Sequence, residues 1–123
     1  MGFTNVVTPD WERGRAPYVR FKWNANGGVR GYLSNRVEVE TDRFFLELDE
    51  EKGLIRVKGA PGDEMKLSLA LGKGRSRGFA IGKPAMRRID TEERIYLRKD
   101  SDGWYYGSYR EPNEYLLFTH GRV

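Results

Sequence analysis

"YVRFKWNANGGVRGYL", residues 18–33, carries the reading of the fold. Val19, Phe21 and Trp23 alternate with Tyr18, Arg20 and Lys22. Period two turns successive side chains to opposite faces, so this is a half-buried strand. "NANGG" (24–28) follows, and Asn and Gly tolerate the positive φ of a tight turn. "VRGYL" then returns as a second strand. The same stretch sorts its chemistry, with apolar side chains on one face and cations with an aromatic ring on the other.

The pattern recurs along the chain. "RFFLELDEEKGLIRVKG" (43–59) reads as a hairpin with Phe44, Leu46 and Leu48 on one face and Gly53 in the left-handed position of the turn. "MKLSLALG" (65–72) alternates with Met65, Leu67, Leu69 and Leu71 inward, and "GFAIG" reads as a further strand. "RIYLRKDSDGWYYGSY" (94–109) reads as a second hairpin turning at "DSDG", and "EYLLFTH" (114–120) as a last strand. "SNRVEVETD" (34–42) fits a strand or irregular chain, and "KPAMRRID" (83–90) fits one helical turn with Pro84 first. The expected fold is therefore mostly β: a small single-domain barrel or intertwined antiparallel sheet, with at most one or two short helices. Residues 1–16, anchored by Trp11, form an N-terminal arm, and 17–123 form one β-rich domain. The expected core is Val19, Phe21, Phe44, Leu46, Leu48, Ile55, Val57, Leu67, Leu69, Phe79, Ile81, Ile95 and Leu97.

Arg30-Gly31-Tyr32 and Arg77-Gly78-Phe79 begin two stretches that run in parallel, each ending in an acidic turn closed by glycine, Gly53 and Gly103. This suggests an internal duplication over about 18–59 and 65–109, each unit being strand, basic turn, strand, connector and hairpin. Closure of such units into a barrel would remove exposed sheet edges.

Charge is sorted in the same way. The chain of 123 residues has a net charge of only +4. Residues 11–37 hold six Lys/Arg against one Glu, 38–64 hold nine acids against four bases, and 71–99 hold nine bases against three acids. The turn "GKGRSRGF" (72–79) concentrates Lys73, Arg75 and Arg77 among glycines. It is followed by a strand rather than a helix and lacks Gly-Lys-Ser/Thr, so it is not a nucleotide-phosphate loop. Cations interleaved with aromatic rings suit a nucleic-acid surface, where charge neutralises phosphate and rings stack on bases. The candidate binding residues are Arg20, Lys22, Trp23, Arg30, Tyr32, Lys73, Arg75, Arg77, Lys83, Arg87 and Arg88.

Other chemistries find little support. There is no cysteine and one histidine, His120, near the end of the chain. No Ser-His-Asp set or metal cluster can be assembled, and "DSDG" lacks the remaining ligands of a calcium loop. We expect no catalytic residues, no metal and no cofactor. The apolar stretches are too short to span a bilayer, and residues 1–15 lack a signal-peptide layout, so a cytoplasmic protein without a membrane role is expected. The expected partner is DNA or RNA through its phosphate backbone, as for a transcriptional regulator or a single-strand binder. The alternative is a small adaptor or inhibitor that binds another protein through its acidic face or exposed aromatics. Homodimerisation is compatible with either.

"TDRFFLELDEEKGLIRVKG" (41–59) resembles the C-terminal half of the AbrB/MraZ-type swapped-hairpin proteins. Thr41-Asp42 stands where that family has Gly-Asp, and the start of the family helix is absent. The resemblance implies a compact cradle-loop β fold and DNA binding.

Overall fold

The computed structural model describes residues 16–61, 68–73 and 77–112. Nine strands among these form two antiparallel sheets. The first sheet has the order β6-β2-β1-β7, built from β1 (Tyr18–Trp23), β2 (Val29–Leu33), β6 (Arg77–Ala80) and β7 (Ile95–Tyr96). The second has the order β5-β3-β4-β9-β8, built from β3 (Arg43–Asp49), β4 (Leu54–Gly59), β5 (Leu69–Ala70), β8 (Arg98–Lys99) and β9 (Tyr105–Ser108). Helix α1 (Lys83–Ile89) follows β6 and is two turns long rather than the expected one. The sheets do not close into a barrel. Among the described residues no helix is long and apolar enough to cross a membrane.

The three expected turns form where glycine permits positive φ: Gly27 at 85°, Gly53 at 69° and Gly103 at 86°. Asn24 and Gly28 close the first turn with a backbone bond of 2.8 Å. Residues 34–42 are irregular. Ser34 Oγ accepts from the Arg36 N–H there and no helix begins. Leu67, Met65, Trp11 and the strand expected over 114–120 lie outside the described residues.

The two sheets share one core. Val19, Phe21, Phe44, Ile55, Val57, Phe79, Ile95 and Leu97 are buried as expected, while Leu46, Leu48, Leu69 and Ile81 are half-buried against that core. Phe79 joins the layers: its ring meets Phe21 of its own sheet at 5.8 Å and Phe44 of the facing sheet at 4.8 Å, both edge-on. Helix α1 closes the cluster with Met86 and Ile89.

Two expectations need correction. "GKGRSRGF" is a turn, with the Gly72 N–H donating to the Gly78 carbonyl at 2.8 Å, but the strands that flank it join different sheets. β5 pairs with β3, β6 pairs with β2, and the stretch between them carries the chain from one sheet to the other. The segment 94–109 is likewise only partly a hairpin. Ile95 and Tyr96 pair with β1, then Arg98 and Lys99 pair with β9, so the chain changes sheets at the buried Leu97. Gly107 allows this corner, because a Cβ there would stand 2.7 Å from the Tyr96 carbonyl oxygen and 2.9 Å from Leu97.

The paired motifs meet in a specific way. β2 and β6 place Gly31 opposite Phe79 and Tyr32 opposite Gly78, so each glycine faces the other motif's aromatic residue. A Cβ on Gly31 would lie 2.2 Å from the Phe79 ring. The hairpins also become neighbours through β4 and β9. The expected repeat unit nevertheless breaks at its first strand, since β1 pairs with β2 whereas β5 leaves β6 for the other sheet.

Candidate nucleic-acid interface

The alternation of β1 and β2 fixes a solvent-facing surface on the four-stranded sheet. Val19, Phe21, Val29, Gly31 and Leu33 point inward. The intervening Tyr18, Arg20, Lys22, Arg30 and Tyr32 therefore share the outer face. Register places Arg20 opposite Tyr32 and Lys22 opposite Arg30. Like charges directly across a ladder are unfavourable, on the order of a few tenths of a kcal/mol. None of Arg20, Lys22 and Arg30 has an ion-pair partner among the described residues.

Glycine shapes this face. The Arg30 guanidinium lies over Gly78, where a Cβ would stand 2.6 Å from it, and within 5.9 Å of the Tyr32 ring centroid. Arg94, which sequence reading did not select, stacks its guanidinium 4.4 Å from the Tyr18 ring centroid. The alternation of 94–97 carries no hint of this, because Arg94 precedes a two-residue strand that lies beside β1 only in three dimensions. Glu92 is the acid at this edge. Its carboxylate accepts from the Trp23 N–H at 2.9 Å, and its carbonyl accepts from Arg20 Nε at 2.8 Å.

The remaining candidates are dispersed. Trp23 is on the inward alternation of β1, but at the strand end, and is 41% exposed. Lys73 is exposed at the sheet-to-sheet link, and Arg75 lies outside the described residues. Arg77 turns inward. Its guanidinium donates to the carbonyls of Ser34 and Val37, the latter at 2.7 Å, while Nε is buried with no partner among the described residues. Burial pushes its pKa below the ordinary arginine value. The register also puts Arg77 opposite Leu33, three residue steps, or about 10 Å, from the row holding Lys22 and Arg30. The expectation that Arg77 joins those cations on one face therefore fails. Lys83, Arg87 and Arg88 are exposed on α1, where Arg88 pairs with Glu50 at 3.0 Å.

The outer face of the five-stranded sheet also carries cations. Among them Arg56 lies 4.0 Å from the Trp104 ring centroid, donates twice to Glu47 at 2.8 and 2.5 Å, and reaches Tyr106 Oη at 3.4 Å, while Lys58 lies 5.9 Å from the same ring centroid. Tyr106 donates in turn to Asp102. These bonds, to Tyr106 first and then Glu47, raise the Arg56 pKa, and the Tyr106 bond holds the Asp102 carboxyl below its ordinary value. The Arg56 charge is compensated within this face, whereas Lys58 beside it has no ion pair among the described residues. Arg56 therefore differs from Arg20, Lys22 and Arg30 in having a carboxylate partner. Residues 18–33 and 77–80, which are basic, build one sheet, and the hairpin 43–59, with four acids and four bases, enters the other.

Comparisons with protein-family models, curated proteins and solved structures give no match for this chain.

Proposed function

We propose that this protein is a non-catalytic nucleic-acid-binding protein whose contact surface is the outer face of the four-stranded sheet. One observation carries the reading: Arg20, Lys22 and Arg30 share that face without ion-pair partners among the described residues, and two of them are set directly across the ladder. A polyanion relieves that repulsion and releases its own counterions, which is the main source of sequence-independent affinity. Arg94 extends the basic surface, and Tyr18 and Tyr32 supply rings between the cations. The likeness of residues 41–59 to AbrB/MraZ-type proteins points in the same direction. The adaptor reading would use the outer face of the other sheet, where Arg56, Trp104, Tyr106 and Asp102 already satisfy one another.

The test is binding of labelled oligonucleotides across a salt series. A variant with Arg20, Lys22 and Arg30 all changed to Ala should lose about three phosphate contacts. That lowers the slope of log affinity against log salt by about two for a single strand and slightly more for a duplex. An unchanged slope would exclude this face as the contact surface.

A further inference from the structure

Resting on the reading above, we infer that the nucleic acid taken by this face is a single strand with its bases unstacked, and that Tyr18 and Tyr32 are the stacking platforms. The register makes the two tyrosines diagonal neighbours: Tyr32 is opposite Arg20, and Tyr18 stands two residues further along β1. Such positions are about 7–8 Å apart, roughly twice the rise of about 3.4 Å per base in a duplex strand. Bases stacked on both rings must therefore be spread apart, which a paired helix does not permit without being opened.

The cations have the matching arrangement. Tyr18, Arg20 and Lys22 succeed one another on the outer face of β1 at intervals of two residues, about 6.6 Å. A strand laid along β1 and β2 would place a ring and then charges in its path. Each ring also has its own guanidinium, Arg94 for Tyr18 and Arg30 for Tyr32, and guanidinium planes stack on bases as aromatic rings do. Duplex readers instead insert a helix or ribbon into the major groove. Here the only described helix, α1, has seven residues and buries Met86 and Ile89 in the core, and the basic surface is a sheet face.

The decisive probe leaves the protein unaltered. Fluorescence anisotropy would compare three oligomers of about 12 nucleotides, within the site sizes of single-strand binders: a thymidine single strand, an abasic strand with the same phosphates, and a duplex. The thymidine strand should bind tightest. The abasic strand should bind roughly five- to a hundredfold more weakly for each base stack lost, with an unchanged salt slope. Tyr32→Ala should reproduce that loss for the thymidine strand alone, and Tyr32→Phe should restore binding. Equal binding of the thymidine and abasic strands, or tighter binding of the duplex, would overturn the single-strand inference and leave the basic face as a phosphate surface. No binding of any of the three at low salt would overturn the nucleic-acid reading itself.

Discussion

Lys73 and Arg77 stand four residues apart in the same basic stretch, yet the fold gives them opposite roles, and substitution should separate them. Arg77 donates to the Ser34 and Val37 carbonyls beneath the irregular segment 34–42. Val37 is 1% exposed, so its environment cannot supply water freely once the guanidinium is gone. Hydrogen bonds to a charged donor contribute about 1.5–3 kcal/mol each. The lower figure applies because burying the cation is itself costly, as its lowered pKa shows. Two such bonds give an expected loss of about 3 kcal/mol for Arg77→Ala. For a domain of this size that is a fall of roughly 9–15 °C in Tm. Both bonds come from the one Nη2, so Arg77→Lys keeps the charge and a single donor nitrogen but on a shorter stem, and should recover about half. Lys73→Ala, at an exposed site, should stay within about 0.5 kcal/mol of the parent. Urea unfolding followed by tryptophan fluorescence measures all three. Arg77→Ala below its midpoint should also keep the parent's salt slope for oligonucleotide binding. If Arg77→Ala and Lys73→Ala were equally stable, the inward role of Arg77 would be wrong.

The other predictions concern close contacts and one titration. Gly31→Ala should destabilise by about 1–3 kcal/mol in the same urea assay, because a Cβ would meet the Phe79 ring that joins the two sheets. Gly107→Ala should cost at least as much, since part of what its Cβ meets is the Tyr96 backbone, which yields less readily than a side chain. Asp102 should titrate below the ordinary carboxyl value and Tyr106 above the ordinary phenol, each mainly through their shared hydrogen bond. Tyr106→Phe should move Asp102 back up when carboxyl shifts are followed by NMR. Because the folded pKa of Asp102 is depressed, its contribution to stability is present above about pH 4 and lost as pH falls through the folded value.

Local pattern determined much of this protein. The alternation in "YVRFKW" and "RFFLELD" settled which side chains share a face, because a strand's side-chain period leaves no other choice, though Trp23 at the strand end stays exposed. Asn-Gly and Gly-closed turns set the hairpins β1–β2 and β3–β4, since positive φ at Gly27 and Gly53 is a local requirement. For that reason Arg20, Lys22, Arg30 and Tyr32 could be gathered as a candidate surface from sequence alone. Tertiary structure decided what depends on which strands pair. A two-residue strand carries no label naming its partner, so the turn in "GKGRSRGF" was legible but the joining of β5 and β6 to different sheets was not. The same ambiguity hid the change of sheet at Leu97, the placing of Arg94 on Tyr18, and the fate of Arg77. An arginine beside glycines reads as solvent-facing whatever its neighbours are, and only the fold brought two carbonyls within its reach, 40 and 43 residues away in the chain.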